Sequence, residues 1–144
     1  MRWLSTDGVR LGGILENFEV TELSSAQILA LDTDPVVLLP APGPGRMIVV
    51  LGSQFSYRAG TTPYTTANSP VIVYDGPSKT GCANFNIDLS SAVDQVSAQP
   101  AGQVSSITPN EVENVAILMT MTAGDVTLGD GTLSVALSYS VYPV

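Results

Sequence analysis

Thirteen carboxylates, five cationic side chains, one thiol at Cys82 and five tyrosines are the ionisable chemistry of this 144-residue chain, and histidine is absent. Losing histidine removes the commonest general base, the Ser-His-Asp and Cys-His arrangements, and most zinc sites together. Hydrolysis would then have to rest on paired carboxylates, as it does in glycosidases. Asp32 with Asp34 and Glu111 with Glu113 have suitable spacing, but both pairs lie in polar connecting stretches where acids are simply solvated. No catalytic residue is therefore expected, and the chain reads as a binding or structural protein in preference to a small carboxylate hydrolase.

Asp125, Asp130 and the carbonyls near Gly129 could supply hard oxygen ligands to calcium. The EF-hand pattern is missing, however, and Asp-Gly is what a tight turn demands, because both residues tolerate positive φ. Turn chemistry is the expectation, with no metal and no cofactor. Gly43-Pro44-Gly45 is no phosphate loop, since proline lacks the N–H that would cradle an anion and no Gly-Lys-Ser/Thr follows. Cys82, alone, can form no intramolecular disulfide and reads as a structural thiol.

Net charge is −8, and Arg2, Arg10, Arg46, Arg58 and Lys79 are scattered singly. Nucleic acid binding needs clustered cations, so no nucleic acid partner is expected. The longest apolar runs, such as Met47 to Leu51, are far below the ~18 residues of a membrane span, and Met1-Arg2-Trp3-Leu4 runs straight into Ser5-Thr6-Asp7-Gly8 without an apolar leader. The expectation is a soluble protein made in a cytoplasm, with no membrane partner. Charged residues are only 12% of the chain against about 25% in an average domain, which leaves surface suited to facing other protein.

Period-two alternation sets the fold class. Leu133, Val135, Leu137, Tyr139 and Val141 fall on one side of a closing strand, with Thr132, Ser134, Ala136, Ser138 and Ser140 on the other. The turn Gly129-Asp130-Gly131 launches it. Val36 to Leu39, Met47 to Arg58, Val71 to Tyr74, Ala83 to Leu89 and Val115 to Met121 read as further strands, with Val49, Leu51, Phe55, Tyr57 and Ala59 expected on one apolar face. One short helix is expected over 23–31, with Ser24 or Ser25 as N-cap. Residues 90–110 resist reading, although Val93 and Val96 could share a helical turn. Residues 1–21 show no sustained periodicity and read as an N-terminal arm before a single domain, 22–144. The sum is an all-β protein, an antiparallel β-sandwich or jelly-roll-like barrel.

Among the aromatic residues Trp3, Tyr57, Tyr64, Tyr74, Tyr139 and Tyr142, strand position puts Tyr57 and Tyr139 in the core and leaves Tyr64, on a loop, as the natural surface position for stacking on a sugar.

Two segments carry a family likeness. Leu23-Ser24-Ser25-Ala26-Gln27-Ile28-Leu29-Ala30-Leu31, continuing through Pro35-Val36, Leu38, Pro40-Ala41-Pro42-Gly43, Gly45 and Ile48-Val49-Val50, resembles the opening of small structural proteins encoded among the virion genes of tailed bacteriophages. The closing stretch, Asn114 through Gly129-Asp130-Gly131-Thr132-Leu133 and Val135 to Tyr139 and Val141, is similar to the end of the same proteins. The resemblance implies a capsid decoration (cement) protein, located on the outer capsid surface of a virion assembled in a bacterial cytoplasm. Its partners would be the major capsid protein and further copies of itself, as a trimer. On that reading Trp3, Leu4, Ile14, Leu15 and Phe18 of the arm, with Ser134, Ser138 and Ser140 of the closing strand, are the candidate contacts with a neighbour or the shell. The competing expectation is a tail-tip, fibre or head-associated module that binds host glycan through loops 60–70 and 97–113.

Overall fold

The computed structural model describes the backbone of residues 3–5, 8–11, 14–65, 69–100 and 107–144, and side chains from residue 16 onward within those stretches. Among the described residues ten strands form two antiparallel sheets. The larger contains β1 (Trp3–Ser5), β2 (Gly8–Leu11), β3 (Ile14–Leu23), β10 (Thr132–Pro143), β5 (Arg46–Arg58) and β8 (Gln95–Pro100), in that order across the sheet. The smaller runs β4 (Val36–Leu39), β9 (Ile117–Met121), β6 (Pro70–Tyr74), β7 (Gly81–Ala83). The fold is an all-β sandwich. It is jelly-roll-like in strand order, β3-β10-β5-β8 facing β4-β9-β6-β7, with every connection from β3 onward crossing between the sheets except the β6–β7 hairpin.

The expected helix is α1 (Ser25–Leu29), opened by a capping box. The Gln27 N–H donates to Ser24 Oγ at 3.4 Å while the Ser24 N–H donates to Gln27 Oε1 at 2.9 Å. Ile28 is its buried anchor, and so short a helix holds only through such packing. A second turn, α2 (Pro109–Val112), carries Val112 into the core.

The core lies between the sheets. Leu23, Leu133, Val135, Leu137, Phe55 and Tyr57 point inward from the large sheet, and Ile72, Tyr74, Ile117 and Met119 from the small one. Three tyrosines carry their hydroxyls into it and satisfy them on carbonyls: Tyr57 on Leu89 (3.2 Å), Tyr64 on Gly131 (2.6 Å) and Tyr74 on Ile48 (2.7 Å). Burial, aided by Tyr57 and Asp130 near Tyr64 and by Cys82 near Tyr74, pushes the Tyr64 and Tyr74 hydroxyls up to about 12. Cys82, 1% exposed, is raised likewise to about 12 and is an inert structural thiol.

Four expectations are corrected. Residues 14–21, read as the end of the arm, belong to β3, which pairs with β10 from Asn17 to Leu23. Residues 95–100, which gave no strand signal, are β8, so Val93 and Val96 share no helical turn. The strand expected over 83–89 ends at Ala83, yet Ile87 and Leu89 still reach the core from irregular backbone. The alternation in β5 also breaks. Ser138 opposes Gly52 while Tyr139 opposes Val50, so Leu51 is an extra residue, a β-bulge. Before it Ile48 and Val50 are buried, and after it Ser53, Phe55 and Tyr57.

Candidate functional site

The carboxylates act as staples. Asp125 accepts from the Asp32 N–H (2.6 Å), the Thr33 N–H (3.4 Å) and the Thr33 hydroxyl (3.0 Å), tying the β9–β10 connection to the segment before β4. Asp130 accepts from the Thr61 hydroxyl (2.6 Å) and the Thr62 N–H (2.8 Å). These bonds hold its carboxyl below the ordinary value. At the opposite end of the sandwich, Glu111 takes the Ser78 N–H and hydroxyl, both at 2.9 Å, and Glu113 takes the Gly45 N–H at 2.8 Å. Of the acids that sequence offered for hydrolysis or calcium, Glu111, Glu113, Asp125 and Asp130 are thus engaged by loop donors, Asp32 and Asp34 are exposed, and Asp125 and Asp130 serve different loops. Among the described residues no three metal-ligating side chains cluster.

Tyr64 is not a surface platform. It is 1% exposed, and its ring lies against Gly129, where an added Cβ would come within 2.3 Å of it. Gly129 also has φ +104°, so only glycine suits this position in the turn before β10. Residues 66–68 and 101–106 of the two candidate glycan-binding loops lie outside the described residues.

The outer faces of the sheets remain. On the small sheet the outward pair Val73 and Leu118 is 4% and 7% exposed although neither belongs to the core between the sheets. They form the floor of a cleft of about 390 Å³ with Val71 and Thr120, walled by Asp32 and Pro35 on one side and Lys79 on the other. Thr120 Oγ1 donates to Leu31 O at 3.0 Å, fastening that wall, and Lys79 is ion-paired with Asp75.

The large sheet is bare by contrast. Strand register sets three rows across β3, β10, β5 and β8: Phe18, Ser138, Gly52 and Pro100; Val20, Ala136, Gln54 and Ala98; Glu22, Ser134, Ser56 and Val96. Glu22 is the one ionisable side chain in these rows. Phe18 is 60% exposed, Val20 48% and Val96 81%, at the two sides of a floor of small residues. From strand spacing and rise the area is about 400 Å², within the range of patches that are often functional.

Of the residues the sequence singled out, Phe18, Ser134 and Ser138 come together on this face. Ser140 does not: it is 2% exposed, beyond the register shift after Ser138, and offers no surface to a neighbour. Trp3 and Leu4 lie on β1 and Ile14 and Leu15 on β3, but their side chains lie outside the described residues. Val20, Gln54, Val96 and Ala98 escaped sequence reading, since only strand pairing reveals that they join Ser134 and Ser138.

The fold and this face define an all-β, jelly-roll-like sandwich with one open, nearly uncharged sheet surface. No family model matches the chain, and no curated protein matches it significantly. Among solved structures, a chain of the "Cyanophage Pam1 capsid asymmetric unit" is similar with a TM-score of 0.49 and 14% identity, over 96% of this chain and 92% of that one. A likeness at this level is no argument for a shared role.

Proposed function

We propose that this is a non-enzymatic phage virion structural protein, a decoration (cement) protein. It binds the outer head surface through the outer face of the large sheet and stabilises the shell by bridging subunits of the major capsid protein. The observation that carries the proposal is the contrast just described: on the outer side of the small sheet Val73 and Leu118 are sheltered and only Val37, at the β4 edge, stands exposed among the described apolar residues, whereas the broad outer face of the large sheet is open across four strands. The virion-protein resemblance of residues 23–50 and 114–141 points the same way, and jelly rolls occur in capsids as well as in lectins, an analogy of fold only. Binding needs no reactive group, which suits a chain whose acids serve as loop staples. The glycan-binding alternative loses its aromatic platform with the burial of Tyr64.

The test is co-sedimentation with heads that lack the protein. The wild-type chain should pellet with heads at hundreds of copies, and Ala136→Lys, central on the open face, should stay in the supernatant while melting normally. Unchanged pelleting of the lysine variant, or a copy number near a dozen, would refute the proposal.

A further inference from the structure

The strand edges of the two sheets are finished differently. In the small sheet β4 is four residues long, lies between Pro35 and Pro40, and carries a register shift; β7 is three residues long and also shifts register. Short, bulged and proline-flanked edges are how proteins keep strands from pairing with other chains. β8 has little of this protection. Its six residues, from Gln95 opposite Tyr57 to Pro100 opposite Gly52, pair with β5 without a shift, and none is charged. Only Pro100, at its last position, interrupts the row of donors. Among the described residues no backbone hydrogen bond reaches its outer side.

We propose that β8 is an interaction edge whose occupant is β8 of a second copy, paired antiparallel about a two-fold axis normal to the sheet. Charge and length select this occupant. The chain carries −8, so most contacts between copies would oppose like charges, whereas six uncharged residues set no ionisable side chain against another. The strand also matches its own length, while β1, at the other edge of the same sheet, is three residues long. Opposed residues in such a pair share a face, so the axis must pass through a residue and not between two. Placing it at Ser97 sets Val96 against Ala98 twice and covers the most exposed valine of the described chain.

The consequence extends the docking reading. A two-fold axis normal to the sheet keeps both open faces on the same side, so the pair offers one continuous surface of about 800 Å², which is what each partner contributes to a standard-sized interface. One copy alone offers about half of that. Two equal faces side by side are also suited to bridging two shell subunits.

The experiment is sedimentation equilibrium of the full chain without capsid, so that its failure would leave the docking proposal standing. Wild type should dimerise as concentration rises. Val96→Lys should raise the dimer dissociation constant about tenfold or more, while Val20→Lys, on the same face but far from the edge, leaves it unchanged. The Val96→Cys/Ala98→Cys double variant should give a disulfide-linked dimer under mild oxidation, and Val20→Cys should not. A monomeric wild type, a trimer, or equal effects of Val96→Lys and Val20→Lys would overturn the proposal.

Discussion

On the small sheet, outward-facing Val73 and Leu118 are sheltered by the Asp32–Pro35 segment and by Lys79, with Val37 at the β4 edge left 53% exposed, whereas on the large sheet outward-facing Phe18, Val20 and Val96 stand in solvent from one side of the face to the other. The covered face is held closed by specific bonds, three of them to the Asp125 carboxylate. The open one is assembled from small residues, with no loop reaching over it among the described residues. An apolar position on a sheet's outer side is therefore not in itself a sign of docking, and what distinguishes the two faces is whether the chain supplies its own lid.

The strongest way to break the comparison is a charge beneath the lid. Leu118→Asp buries an unpaired carboxylate and should cost about 4 kcal/mol or more, read as loss of the cooperative transition in chemical denaturation. Asp125→Ala frees the lid and should cost ~1–2 kcal/mol, with added binding of a hydrophobic dye as the covered sheet comes to resemble the open one. Val20→Lys on the open face should change stability by no more than about 0.5 kcal/mol, because that side chain already stands in water. Equal costs for Leu118→Asp and Val20→Lys would erase the distinction.

Two pH responses follow from the buried and stapled groups. The Tyr64 and Tyr74 hydroxyls titrate near 12 in the folded chain and near 10 when unfolded, so their contribution is complete below pH 10 and is lost as pH rises from 10 toward 12. Asp130 is shifted the other way. Its contribution is present above its unfolded value of 3.8 and is lost as pH falls below that, an acid loss that Asp130→Asn should flatten. Melting temperatures across both ranges check these signs.

Sequence periodicity revealed the sandwich because half-buried strands such as β10 alternate apolar and polar residues along their length. It failed at β8 because the apolar residues there, Val96 and Ala98, face outward while Gln95, Ser97 and Gln99 face the interior, so the pattern carries no core signal. It misjudged Ser140 and the first half of β5 because the alternation reads straight through Leu51, and only pairing with a neighbour shows a residue to be unopposed. Tyr64 looked like a loop tip because the glycine that receives its ring, Gly129, is distant in sequence. Part of the candidate face was legible, namely Phe18, Ser134 and Ser138. Most of the rest, from Gly52, Gln54 and Ser56 to Val96, Ala98 and Pro100, belongs to β5 and β8, which meet β3 and β10 only in the folded sheet.

The central position of β10 also governs the order of events during synthesis. β10 lies between β3 and β5, and residues 59–131 must be made after β5 before it exists. Until then β3 and β5 have no common neighbour and the large sheet cannot close, so folding waits on contacts of long sequence separation and is expected to be slow. In that interval the flanks of β3 and β5 are themselves unpaired edges, open to capture by other nascent chains. A chaperone that holds the chain until residue 143 emerges would keep those edges from such capture.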